Sequence, residues 1–289
     1  MDVRVYNVNT NRIIVETVEL DEHGEFEEDG SYTIAGVSNP GSEVKCAFVD
    51  PKGSMTGRLF PTGHQQEVLG VLAPAYSLLP DTVGQLDVRV TLIDGANPFV
   101  LIDSTSISTV LKTLPSAAAQ DELVESIRRE AAVAMGLASS VEVASRTRGT
   151  PKAAIVYPPL VSSDSDSPTP DLRVQAYSMG LPHPSLQLTG AVTIASALCA
   201  PGTIAAELAL KPVIDDGAPL TPERSPSEEK EDDNLGAGYR HVVIAHSKGT
   251  IDVDVILGSN GEVSSCSVSR TARRLFEGRV RYYIADEGE

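Results

Sequence analysis

Leu188-Thr189-Gly190-Ala191-Val192-Thr193-Ile194-Ala195-Ser196-Ala197-Leu198 is small or apolar at every position and carries Thr-Gly near its start. A helix over this run has no wet face, so it should pass through the interior of a domain. Its first turn would hold unpaired N–H groups and the positive end of the helix dipole, a seat for a carboxylate or phosphate. A core helix and nothing more is the alternative reading of the same residues.

Around this helix the chain is strand-rich. Residues 3–7 and 12–18 flank an Asn-rich turn, and 44–49 and 86–93 follow, separated by Pro51, Gly53, Gly57, Pro61 and Gly63. Leu123, Ile127, Ala131 and Met135 recur at every fourth position, which predicts a helix over 117–135 that Gly136 ends. Further strands are predicted at 153–157 and 172–178. Residues 242–245 and 251–255 read as two strands of a hairpin turning at Ser247-Lys248-Gly249. Ile251, Val253, Val255 and Leu257 alternate with polar residues, and Asn260-Gly261 predicts a tight hairpin turn after them. On the returning strand Cys266, Val268 and Arg270 share one face by parity. An arginine on an apolar face needs a partner. An ion pair, a snorkelling position at the strand end and an anionic ligand all meet that need, and Arg273 and Arg274 lie close by in sequence. Residues 162–170 and 215–238 are too polar to pack and are expected to be mobile surface loops.

Composition narrows the function. The chain has 289 residues, 41% of them hydrophobic, which supports a substantial core. Aromatics are 4% and Trp is absent, which argues against base stacking, and the net charge of −17 opposes nucleic acid and anionic membrane surfaces. An acidic ligand would have to be held by a few local cations. No run reaches the roughly 18–20 apolar residues of a membrane span, and the N-terminal residues lack the pattern of a signal peptide. Three dispersed cysteines, Cys46, Cys199 and Cys266, fit a reducing compartment and packing roles, so a cytoplasmic protein is expected. With no CxxC pair and no ligand-like His spacing, no metal and no cofactor are expected.

Several motifs occur in a fixed order: Val3-Arg4-Val5-Tyr6-Asn7-Val8-Asn9-Thr10, then Asp50-Pro51-Lys52-Gly53-Ser54-Met55-Thr56-Gly57-Arg58-Leu59-Phe60-Pro61-Thr62-Gly63, then Asp94-Gly95-Ala96-Asn97-Pro98-Phe99-Val100. Ala144-Ser145-Arg146 with Pro151-Lys152, Ser178-Met179-Gly180, Thr189-Gly190-Ala191 and Ser269-Arg270-Thr271-Ala272-Arg273-Arg274-Leu275-Phe276-Glu277-Gly278 complete the set. Together they resemble the second half of the PrpF family of isomerases, which includes methylaconitate isomerase, oxalomesaconate tautomerase and aconitate isomerases.

The resemblance implies an α+β fold like that of diaminopimelate epimerase: a mainly antiparallel sheet wrapped around a central apolar helix, with the first of two lobes missing. It implies a cofactor-independent proton shift on a small unsaturated di- or tricarboxylate, with an acid and a base flanking the carbon. The family's Gly-Gly-Thr-Ser-Lys and Cys-Gly-Asn segments, which supply the proton-transfer lysine and cysteine, are not in this sequence. Ser247-Lys248-Gly249 falls in a hairpin turn and is no substitute. No catalytic residue is therefore assigned, and the chain by itself is expected to be inactive. Binding roles fall to backbone N–H groups of Thr189, Gly190 and Ala191, to Asn97 as a polar orienter, and to Arg270 as a counter-charge. Asn97-Pro98 also reads as a simple turn. Leu188 stands where the family has glycine and is expected to crowd the ligand, the more so if that position needs positive φ. Alternatives are a non-catalytic carboxylate-binding or interaction module, a second chain supplying the first lobe, and a truncated gene model. The face left by a missing lobe is expected to favour self-association or a covering partner.

Overall fold

The computed structural model describes residues 1–72, 85–161, 169–210, 213–214, 238–279 and 281. In chain order the strands are β1 (Asp2–Asn7), β2 (Arg12–Val18), β3 (Glu43–Val49), β4 (Glu67–Leu72), β5 (Gln85–Asp94), β6 (Pro98–Asp103), β7 (Lys152–Tyr157), β8 (Leu160–Val161), β9 (Leu172–Ser178), β10 (Leu181–Pro182), β11 (Val213–Ile214), β12 (Tyr239–His246), β13 (Gly249–Leu257) and β14 (Val263–Thr271). The helices are α1 (Ser108–Thr113), α2 (Ala117–Ala134), α3 (Val141–Arg146), α4 (Leu188–Cys199) and α5 (Ile204–Ala209). The predicted loops at 162–170 and 215–238 lie outside the described residues except for 169, 170 and 238.

One mixed sheet dominates, ordered β1-β2-β3-β14-β13-β12-β9-β7-β6-β5-β4, with β10 paired to β9. Its pairs are antiparallel apart from β6 with β7 and β12 with β9. Residues 190–198 of α4 are buried without a break, so this helix is enclosed by protein on all sides, as its composition dictates. It packs on β13, β14, β5 and β6.

A second core lies on the other face of β5–β7. There α2 buries Leu123, Ile127 and Ala131 against Val90, Ile102 and Ile155. The fourfold spacing read from the sequence is the face that does this, and each fully buried Leu or Ile contributes about 1.5–3 kcal/mol. Ser116 caps the start of α2 by accepting from the Ala119 N–H. At its end Gly136 takes φ +72, while Gly136 N–H donates to Val133 C=O and Leu137 N–H to Ala132 C=O. That pattern closes a helix on a left-handed residue.

The second hairpin is wider than the sequence predicts. β13 and β14 are joined by residues 258–262, with a register shift at Ile256/Leu257. Asn260 and Gly261 lie inside this longer turn, where Asn260 Oδ1 accepts the Glu262 N–H at 3.0 Å. The bulge absorbs the residues that a two-residue turn would have left in the ladder.

Candidate functional site: a cavity at the start of α4

Asp94, at the end of β5, is fully buried. Its carboxylate accepts from the Ser54 and Thr56 hydroxyls and from the N–H groups of Met55 (2.9 Å) and Thr56 (2.6 Å). The Asp94 backbone adds two bonds, receiving from Gly53 N–H and donating to Leu59 C=O. A buried carboxylate thus folds the whole Gly53–Leu59 segment around itself. Gly53 is needed there: it sits at φ +70, and a Cβ would come within 2.5 Å of the Gly57 carbonyl carbon.

The turn after Asp94 is fixed to α4. A Cβ on Gly95 would lie 2.7 Å from the Thr193 hydroxyl, and that hydroxyl donates to the carbonyls of Asn97 (3.2 Å) and Thr189 (2.9 Å). Between these walls lies a cavity of about 150 Å³ whose lining includes Asn7, Thr10, Arg12, Ser54, Ala96 and Thr189, with Ile14 and Phe48 as apolar surface. Arg12 is the cation. Its guanidinium is held by Asp50 at 2.8 Å and by the Lys52 carbonyl at 2.7 Å, leaving further N–H groups for a ligand. Among the described residues, the lining contains no Lys, Cys, His, Asp or Glu.

Several expectations change at this point. Ala191 N–H is not free: it donates to the Gln187 carbonyl at 2.9 Å, the ordinary helical bond. The donors left at the α4 terminus are those before it, including Thr189 and Gly190. Gly190 is buried, and a Cβ there would meet the Phe99 ring at 2.9 Å. Its glycine is thus required by packing. Leu188 needs no positive φ: it is the first residue of α4 and packs partly buried against the main core, outside the cavity lining. The obstruction expected from its side chain is absent, because the helix turns it into the core. Asn97 contributes its carbonyl to Thr193, while its neighbour Ala96 lines the cavity.

Arg270 is not among the lining residues either. It stands on the core-facing side of β14, as parity predicts, but its surroundings are Tyr32, Cys46 and His246. No carboxylate among the described residues lies within ion-pair distance of it. Arg273 and Arg274 are surface residues near Asp29 and Glu28. The cysteines are packing groups. Burial pushes the Cys266 thiol up to about 12 and raises Cys46 and Cys199 too, so none is a ready thiolate.

Sequence reading missed Arg12, Ser54 and Asp94. A further feature at the helix entrance also escaped it: Gln187, the N-cap residue, has both side-chain polar atoms buried without a hydrogen-bond partner. Such groups are rare in folded proteins and mark places where water or a ligand supplies the missing bonds. Among the described residues there is no cluster of three or more metal-type ligands, and no helix is long and apolar enough to cross a membrane.

The fold of this chain is shared with a solved isomerase. The chain superposes on the crystal structure of methylitaconate-delta-isomerase with a TM-score of 0.67 and 26% identity, covering 97% of this chain and 65% of that one. The chain belongs to the PrpF family: the model described as PrpF protein matches residues 1–213. Among curated relatives, YraM of Bacillus subtilis is 33% identical over 285 residues, and the 2-methyl-aconitate isomerase of Shewanella oneidensis is 29% identical over 297. Each alignment covers 96% of this chain and 65% of the relative. The chain therefore spans just under two thirds of the length of the relatives it matches.

Proposed function

We propose that these 289 residues are the carboxylate-binding lobe of a PrpF-type isomerase acting on a small unsaturated di- or tricarboxylate. The observation that carries this is the α4 cavity, whose largely apolar wall also carries Thr189 at the helix terminus, Arg12 and Ser54. Relatives named 2-methyl-aconitate isomerase and 3-methylitaconate isomerase supply the ligand class.

In this reading α4 is the central helix of a diaminopimelate-epimerase-like lobe, and a second lobe would close the cavity. The reaction is a cofactor-independent allylic proton shift. A carboxylate held on Thr189 and Arg12 lets negative charge develop on its oxygens as the adjacent proton leaves, the role of an oxyanion site. Proton transfer itself needs a group that gains and loses a proton near neutral pH. None of the described side chains lining the cavity can do that, and in this reading the acid and base face it from elsewhere.

Three outcomes test the proposal. In deuterated buffer, aconitate or methylaconitate incubated with this chain alone is expected to show no exchange or migration of the vinylic proton by NMR. Exchange clearly above the buffer rate would show that a base is already present. Tricarballylate is expected to bind with millimolar or weaker affinity, because an open site leaves charge-assisted bonds near their exposed values. Arg12→Ala should weaken that binding about tenfold, since a hydrogen bond to a charged group is worth roughly 1.5–3 kcal/mol. Calorimetry giving equal affinities for the two proteins would remove Arg12 from the site.

Association is the third outcome. β1 is an edge strand on which Val3, Val5 and Tyr6 are exposed, as is Val8 in the adjoining turn. An edge with no strand partner among the described residues invites strand pairing. Light scattering across a hundredfold range of concentration is expected to show a dimer or larger species. A monomer throughout would mean that the charge of −17 overrides the edge.

A further inference from the structure

The α4 cavity is unevenly built. β2 and β3 supply part of its wall, where Ile14 stands opposite Phe48 in the antiparallel register. Phe48 is buried in the main core and Ile14 packs against it, so both side chains point to the face of the sheet that carries α4. Arg12 precedes Ile14 by two residues and shares its parity, which places it on the same face, one row nearer the start of β2. Each residue of an antiparallel strand advances about 3.4 Å, so the charged row and the apolar row lie about 7 Å apart. One small branched acid can reach both.

Donors for an anion are few. Ser54 gives its only hydroxyl hydrogen to Asp94, so it offers a ligand lone pairs alone. Arg12 is the one cation among the described lining residues, and Asp50 at 2.8 Å already offsets its charge. The cavity is therefore equipped for a single carboxylate. A second finds no cation in the described lining, and a third meets the field of a chain with net charge −17. The volume of about 150 Å³ is well below the roughly 300–1,000 Å³ of pockets that enclose larger ligands. What enters beside the bound carboxylate is then a short piece of hydrocarbon, and it meets Ile14 and Phe48.

We propose that this cavity selects its ligand through an alkyl branch: one carboxylate pairs with Arg12 while a nearby methyl group lies against Ile14 and Phe48. The preferred ligand is an alkyl-substituted dicarboxylate, ahead of both the unsubstituted dicarboxylate and a tricarboxylate. This rests on the reading of the cavity as the carboxylate site, and narrows it. Moving a methyl group from water onto an apolar wall is favourable. In a closed pocket one methylene separates ligands by about 10–200-fold. An open site leaves part of the group wet, so a smaller ratio is expected here.

The probes are succinate, 2-methylsuccinate and tricarballylate, all saturated and so unable to undergo the allylic shift. Each is titrated into the intact chain at one pH and ionic strength, and the amide NMR signals of Ser54 and Thr189 report occupancy. 2-Methylsuccinate is expected to bind at least about fivefold more tightly than succinate, and more tightly than tricarballylate. In Ile14→Thr a hydroxyl and a shorter side chain replace part of the apolar wall, and the preference for the methyl group should fall below about twofold. The three-ligand comparison on the wild type needs no variant, so the test stands if Ile14→Thr does not fold. Equal affinities for succinate and 2-methylsuccinate, with both amides responding, would overturn selection by the alkyl branch and leave the carboxylate site in place. Tricarballylate binding as tightly as 2-methylsuccinate, or a preference unchanged in folded Ile14→Thr, would overturn it too. Amides that stay still with all three acids would overturn the cavity as the carboxylate site, and this selection with it.

Discussion

Asp94→Ala is expected to lower the unfolding free energy by about 3–4 kcal/mol, whereas Asp94→Asn should cost about 1 kcal/mol. The difference follows from what each change leaves unpaired. Alanine strands two hydroxyls and two backbone N–H groups that now converge on one buried carboxylate. Burying a donor without an acceptor is costly, though water reaching the exposed side of the segment would recover part of it. Asparagine keeps an oxygen for the Met55 and Thr56 donors and offers its amide to the Ser54 hydroxyl, which can accept. Urea midpoints with unchanged slope measure the difference. The same pair reports on function, because Ser54 reaches the cavity only while the Gly53–Leu59 segment is wound around Asp94. Tricarballylate binding should therefore fail in Asp94→Ala and survive in Asp94→Asn. A loss below 1 kcal/mol in the alanine variant would mean that the segment holds its shape by other contacts.

What the sequence made legible was whatever has a period or a strong local preference. α4 follows from an unbroken small and apolar run, and α2 from its fourfold spacing and closing glycine. The parity that set Arg270 on the same face as Cys266 and Val268 is also correct. β6 escaped because it is buried on both faces, between the α4 and α2 cores, so it shows no alternation. Asp94 escaped because Asp-Gly reads as a turn, and nothing local says that its carboxylate is turned inward toward residues some forty positions earlier. Arg12 stands beside an Asn-rich turn and looks like a surface charge. Only the pairing of β2 with β3 brings it to Asp50 and the cavity. The separation of Arg270 from the α4 cavity is likewise a tertiary fact, set by which end of β14 the helix entrance meets.

Arg128 lies on α2 three residues after Glu125, a spacing that in sequence reads as an exposed helix pair worth a few tenths of a kcal/mol. In the fold both are buried. Arg128 grips Glu125 with two bonds of 2.7 and 2.9 Å, and its remaining donors reach the carbonyls of Ala144 (2.7 Å), Thr147 (3.2 Å) and Thr150 (3.1 Å). One side chain therefore closes the end of α3 and fixes the approach to β7. Arg128→Ala is expected to cost about 3–5 kcal/mol, because it leaves a buried carboxylate and three carbonyls short of donors. Lysine should not rescue it fully, having no planar fork to serve them together. The pH dependence adds a check on the cause. Burial by itself raises the Glu125 pKa, but hydrogen bonds from Arg128 and Arg129 bring it below the usual carboxylate value. A carboxylate whose folded pKa is lowered contributes stability that is present above its unfolded pKa and is lost as pH falls through the folded one. Wild-type protein should thus lose this contribution only under acid conditions, below the ordinary glutamate range. In Arg128→Ala burial acts against Arg129 alone, so the folded pKa rises toward or past the unfolded one, and the loss on acidification shrinks or reverses. Thermal melts between pH 3 and pH 7 separate the cases: parallel curves for the two proteins would mean that Arg128 acts through packing, and that its charge on Glu125 contributes little.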